Sequence, residues 1–131
     1  MVGIVIVSHS NKIADGIKDL TDQVASSHKG IIAAGGMEDG SIGTDALRIS
    51  EAIKEANDGD GVVVLADLGS GIMSAETAIE LLEEEHIDVR LADAPIVEGA
   101  ITASITAACG SKIDEVIAAA EQTRTVKKIN K

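Results

Sequence analysis

Val2-Gly-Ile-Val-Ile-Val7, running straight into Ser8-His9-Ser10, is the stretch on which the fold of this chain turns. Its apolar residues are all β-branched and show no polar alternation, which predicts a strand buried on both faces, as in a parallel sheet covered by helices. The runs Ile31–Ala34, Val62–Leu65 and Ile87–Leu91 repeat the pattern, each before a Gly- or Asp-rich turn, and supply strands two to four. Between them Ile13, Ile17, Leu20 and Val24 recur at helical spacing, as do Leu47, Ile49 and Ile53, then Ala75, Ala78, Ile79 and Leu82. Each set is expected to face the core. Pro95 lies in a loop from Asp93 to Glu98, and Gly99–Ala108 is expected to form a small-residue helix ended by Gly110. A last helix is expected after Ser111 as N-cap, with Asp114 and Glu115 in its first turn and Ile113, Val116 and Ile117 packed inward. Strands alternating with helices predict an α/β fold: a doubly wound, mainly parallel four-stranded sheet flanked by helices, with its ligand site beyond the strand C-terminal ends.

The chain of 131 residues fits one domain, expected over residues 1–121, followed by a polar tail at 122–131. No uninterrupted apolar run approaches the roughly 18 residues a membrane span needs. The first strand is too short for a signal-peptide core and has no basic residue before it, so a soluble, cytoplasmic protein is expected. A single cysteine, Cys109, excludes an internal disulfide and any multi-cysteine metal site. The formal net charge of −11 repels nucleic-acid phosphates. Phe, Tyr and Trp are absent, which excludes stacking of flavins or bases on aromatic faces and leaves an aliphatic core. Apolar helices in such a chain leave room for a homodimer.

Four loops at the expected strand ends carry the chemistry: Ser8-His9-Ser10, Gly35–Thr44, Asp67-Leu-Gly-Ser-Gly71 and Asp93–Gly99. A neutral imidazole attacks phosphorus readily, and a phosphoimidazole keeps a high transfer potential, so His9 is the candidate nucleophile. A carboxylate accepting a hydrogen bond from Nδ1 would fix the tautomer, leave Nε2 free and balance charge developing on the ring; Asp67 is the candidate. Ser10 at a helix start, and Ser70-Gly71 leading into the third helix, can aim backbone N–H groups at an anion. Gly35, Gly36 and Thr44 belong to a loop whose glycines permit close approach of a ligand or partner. The Gly69-Ser70-Gly71 stretch lacks the Lys-Ser/Thr ending of a phosphate-binding loop, and no metal site is expected. His28 and His86 read as solvent-exposed, Glu83-Glu84-Glu85 as a solvated helix end, and Cys109 as a small buried packing residue.

With these residues assembled, the sequence resembles the phosphoryl-donor (DhaM) subunits of phosphotransferase-system dihydroxyacetone kinases and, more distantly, the mannose-type IIA domains. The matching stretches are Ile4–Ser10, Gly35-Gly36 with Asp39-Gly40 and Ile42-Gly43-Thr44, Asp67–Ser70 with Met73, and Ala94–Ala100, and the resemblance extends through Gly110. It implies a flavodoxin-like strand order 2-1-3-4. It also implies that His9 accepts phosphate from the phosphocarrier HPr and passes it to ADP held on DhaL, for phosphorylation of dihydroxyacetone on DhaK. No cofactor would then be bound by this chain itself. Gly71 and Ser74 depart from the family pattern, which often has a larger residue at the first position and Asn at the second. Longer relatives append HPr-like and enzyme I-like domains, whereas this sequence ends at Lys131, so its phosphate is expected from separate proteins. A IIA component passing phosphate to a IIB domain, and a non-catalytic binding or regulatory module, are the competing readings.

Overall fold

The structure, a computed structural model, describes residues 1–130. Those residues form β1 (Gly3–Ser8), α1 (Asn11–Val24), β2 (Ile31–Gly35), α2 (Ala46–Ala56), β3 (Val62–Ala66), α3 (Gly69–Leu81), β4 (Val89–Leu91), α4 (Ile96–Ala108) and α5 (Ile113–Gln122), with short 3₁₀ turns at Glu83–Glu85 and Thr123–Thr125. The strands make one parallel sheet in the order β2-β1-β3-β4. Among the described residues no helix is long and apolar enough to cross a membrane.

The two central strands are buried on both faces, which is why their sequences are continuous apolar runs. Ile4 and Ile6 of β1, with Val63 and Leu65 of β3, face one layer of helices, built on Ala14 and Ile17 of α1, Ala100, Ala103 and Ala107 of α4, and Val116 and Ala120 of α5. Val5, Val7, Val62 and Val64 face the other, built on Ile49 and Ile53 of α2 and Ala75 and Ala78 of α3. Without aromatic rings to span the gap, the helices come close to the sheet on alanine and glycine. Gly3 shows how close: a Cβ there would stand 2.4 Å from the carbonyl oxygen of Ala56, at the end of α2.

Several expectations are corrected. Ile17 is buried, but Ile13, Leu20 and Val24 are about half exposed, because Ala14 and Thr21 turn toward the sheet in their place. Leu47 is likewise exposed while Ile49 and Ile53 are buried. β4 starts at Val89, although the Asp88 carbonyl still accepts the Val62 amide at 2.9 Å. α4 takes in Ile96, Val97 and Glu98, since Pro95 occupies the cap position where its missing N–H costs nothing. Lys112, not Ser111, precedes α5, with Glu115 reaching back to its amide. Cys109 is exposed at the end of α4. His28 is 5% exposed: Nε2 donates to the Val2 carbonyl at 2.7 Å and Nδ1 accepts the Gly30 amide at 3.0 Å. His86 is exposed, as expected, in the left-handed region at φ 56°.

Two glycine substitutions should act in opposite directions. Gly3→Ala drives a methyl against the backbone of α2 and is expected to lower stability by about 1–3 kcal/mol. Gly16→Ala meets open space on the exposed side of α1 and should raise stability by up to about 1 kcal/mol through helix propensity. Urea unfolding followed by far-ultraviolet circular dichroism reads both.

Candidate active site

A doubly wound sheet opens a crevice where successive crossovers leave to opposite faces, and here that point lies between β1 and β3. Their register pairs Val7 with Ala66, and the Asp67 amide donates to the Val7 carbonyl at 3.2 Å, so the next residues, Ser8-His9 and Asp67, emerge side by side. β2 lies on the other flank of β1. Its last residue, Gly35, pairs with Ser8, and the Gly36 amide donates to the Ser8 carbonyl at 3.0 Å.

His9 Nδ1 lies 2.9 Å from Asp67 Oδ1. Asp67 accepts three more hydrogen bonds: Oδ1 from the Leu68 amide at 2.7 Å, and Oδ2 from the His9 amide at 3.0 Å and the Ser8 hydroxyl at 2.8 Å. Burial pushes the carboxyl up, but the His9 amide and ring, the Ser8 hydroxyl and the Leu68 amide together outweigh it and hold Asp67 below the ordinary carboxylate range. An ionised Asp67 has no proton to give, so the network assigns the proton to Nδ1 and the lone pair to Nε2. The Ser70 hydroxyl bonds Nε2. The ring is 21% exposed.

Ser70 and Gly71 lie in the first turn of α3, whose cap residue Leu68 offers no side-chain acceptor, so the first amides of that helix have no capping side chain. A Cβ on Gly71 would come within 3.0 Å of Asp67 Oδ1 and 3.6 Å of His9 Cε1, so glycine here lets α3 press directly on the pair. Ser10 is the N-cap of α1, and its hydroxyl accepts the Ile13 amide at 3.3 Å. Its own amide is already used, donating to Ser8 Oγ at 3.1 Å.

The remaining candidates sit around this pair. A Cβ on Gly35 would fall 2.6 Å from the Ser10 carbonyl oxygen, so the residue is required by the packing of β2 against the start of α1. Gly36 takes φ 67° to leave the strand, a conformation that favours glycine. The loop that follows is tied back twice: the Gly43 amide donates to the His9 carbonyl at 2.9 Å, and Thr44 Oγ1 lies 2.6 Å from Ser74 Oγ on α3. Thr44 therefore reaches α3, with no contact to the imidazole. The Asp93 loop joins the rim less directly. It lines a cavity of about 430 Å³ with Asp67, Leu68 and Gly69, while the Asp93 side chain pairs with Arg124. Sequence reasoning assigned nothing to Ser8 and Ser74, since a serine ending a strand and one inside a helix carry no pattern of their own. Only the register of β1 on β3 and the packing of the Gly35–Thr44 loop on α3 give them partners.

Over residues 3–120 the chain matches the EIIA-man family model, described as PTS system fructose IIA component. It belongs to that family. Within it the chain is similar to DhaM phosphoryl donor subunits. The DhaM of the PEP-dependent dihydroxyacetone kinase of Escherichia coli (strain K12) is 47% identical over 121 residues, which are 89% of this chain and 26% of that protein. The DhaM of kinase 1 of Listeria innocua serovar 6a is 42% identical over 125 residues, covering 95% of this chain and 96% of the other. The crystal structure of EF1359, a protein of unknown function, superposes with a TM-score of 0.81 at 34% identity, covering 99% of this chain and 100% of that one. The chain thus spans about the whole of the Listeria subunit and about a quarter of the longer one.

The lowered Asp67 carboxyl makes a stability prediction with a definite sign. Folded Asp67 holds its proton less tightly than the unfolded residue, so its contribution is complete above the ordinary value of 3.8 and fades as pH falls through the lower folded value. Asp67→Asn should therefore cost about 1–3 kcal/mol at neutral pH. The gap to wild type should close below that ordinary value in urea titrations run at several pH values.

Proposed function

We propose that this chain is a phosphocarrier of the phosphotransferase system, accepting phosphate on His9 Nε2 from phospho-HPr and passing it to ADP bound on DhaL, for use on dihydroxyacetone held by DhaK. The observation that carries the reading is the His9–Asp67 pair, which leaves an unprotonated Nε2 at the switch point of the sheet. The names of the DhaM relatives support the choice of acceptor.

On the donor side the P–N bond of the phosphohistidine on HPr breaks as a P–N bond forms at His9 Nε2. No proton has to leave, because Nε2 attacks through its lone pair while Nδ1 keeps its hydrogen on Asp67. Ser70 must first turn its hydroxyl off that lone pair, which then frees it to donate to a phosphoryl oxygen. On the acceptor side the bond at Nε2 breaks as a β-phosphate oxygen of ADP takes the phosphoryl group. Positive charge on the phosphorylated ring is balanced by Asp67, and the phosphoryl oxygens face the first amides of α3. Ile13, Ile42, Leu68 and Met73, all exposed on elements that border His9, form the apolar ground on which donor and acceptor dock in turn. The chemistry needs no cofactor on this chain; the ADP belongs to DhaL, and the whole exchange belongs in the cytoplasm.

Supplied with phosphoenolpyruvate, enzyme I and HPr, the wild-type chain should gain one acid-labile phosphate, and His9→Ala none. His86→Ala should be phosphorylated normally. His28→Ala should lose stability, because His28 is buried, but should still be phosphorylated, since its ring sits beside Val2 at the opposite end of β1. Acid-labile phosphate on His9→Ala would overturn the reading, and transfer from the phosphorylated chain to a IIB domain but not to DhaL–ADP would overturn the choice of acceptor.

Asp67→Ala should fold and yet transfer slowly, by roughly tenfold to ten-thousandfold, as with other carboxylates that orient a catalytic imidazole. Rapid-quench phosphotransfer from phospho-HPr measures the loss.

A further inference from the structure

Resting on the phosphocarrier reading, we propose that Ser8 is a positioning residue of the transfer reaction, acting through Asp67 to keep that carboxylate a pure acceptor and so to keep the His9 proton on Nδ1. Ser8 is fully buried at the end of β1, where a polar side chain must find partners within the protein. Its hydroxyl has a single proton, given to Asp67 Oδ2 at 2.8 Å, and its oxygen accepts the Ser10 amide at 3.1 Å. That amide, having no other use for the oxygen than as an acceptor, fixes the direction of the serine proton. The N-cap amide of α1, the Ser8 hydroxyl, the Asp67 carboxylate and the His9 ring therefore form one chain of donors and acceptors with a defined polarity.

The polarity has a chemical purpose. Asp67 could balance the phosphorylated ring in two ways, by staying ionised or by taking the Nδ1 proton. The second would leave a neutral phosphoimidazole with its lone pair on Nδ1 and lose the ion pair that holds the ring against Asp67. Each donor to the carboxylate opposes proton capture, and among the described residues Ser8 provides one of the two on Oδ2. Ser8 touches neither the phosphoryl group nor the nucleophilic nitrogen, so any effect it has on transfer must pass through Asp67. A purely packing role would instead show as lost stability with unaltered ring chemistry.

Ser8→Ala removes the donor while leaving the strand intact. Its Asp67 carboxyl, followed by carbon NMR in the protein alone, should titrate at a higher pH than in wild type, and the Nδ1–H tautomer of His9 should lose population in nitrogen-edited spectra. Transfer from phospho-HPr should slow by roughly tenfold to a hundredfold in kcat, the range seen for outer-shell partners of liganding histidines, with KM unchanged. In an Asp67→Ala background Ser8→Ala should cost nothing further. An unmoved Asp67 titration overturns the proposal, as does an equal cost of Ser8→Ala with and without Asp67. Because the two NMR measurements need no phosphate donor, a wild-type chain that fails to accept phosphate would sink the phosphocarrier reading and leave the test of Ser8 standing.

Discussion

The pairing of β1 with β3 governs everything that the site can do. Parallel strands have no short turn to join them, so residues far apart in sequence become neighbours only through register, and a slip of one residue would reverse which side chains face each helix layer. Here the register is fixed by burial. Alternate residues of both strands feed two separate aliphatic clusters, and a slip would exchange the larger Ile4, Ile6 and Leu65 for the smaller Val5, Val7 and Val64, spoiling the packing of both. With Val7 set against Ala66, Ser8 at the end of β1, His9 just beyond it and Asp67 arrive side by side. His9 and Asp67 thus need no loop of special length to bring them together.

A site proposed to hold phosphate in a chain of net charge −11 must be local in its electrostatics. Carboxylates beyond about 8 Å are screened at physiological salt, while an uncapped helix terminus acts at contact distance. The nearest negative charge, Asp67, is spread over four donated hydrogen bonds, three of them from β1 and its exit. α3 meets the pair with glycine at position 71, so its amides and the carboxylate share one small space without a side chain between them. The same closeness explains why Gly35 on the other flank admits no side chain: α1 starts directly over it.

The strands were legible because a parallel, doubly covered sheet writes itself as unbroken β-branched runs, and the pairing of His9 with Asp67 followed once each was placed at a strand end. Helix faces were less legible. In α1 the apolar residues Ile13, Leu20 and Val24 predict one stripe, yet the buried stripe runs through Ala14, Ile17 and Thr21, because the close approach of helix to sheet admits one large side chain, Ile17, with smaller ones on either side. Hydrophobicity marks preference for the interior, whereas here volume decided occupancy. His28 was misread for a related reason. Its burial depends on the Val2 carbonyl and the Gly30 amide, partners supplied by the start of β1 and the entry to β2. Ser8 was silent in sequence because its meaning lies wholly in a long-range bond.

The aromatic-free core has one more consequence, and it is optical. A chain without Trp, Tyr or Phe barely absorbs in the near ultraviolet and has no intrinsic fluorescence there. Any emission recorded from a mixture with another protein therefore comes from that protein alone. The chain is a dark titrant: it can be added to a fluorescent partner in large excess without raising the background, so that changes around the partner's own tryptophans are seen directly. For the same reason its concentration has to be read from peptide-bond absorption or by a colorimetric assay, and the loosening of its tertiary packing leaves no trace in near-ultraviolet dichroism.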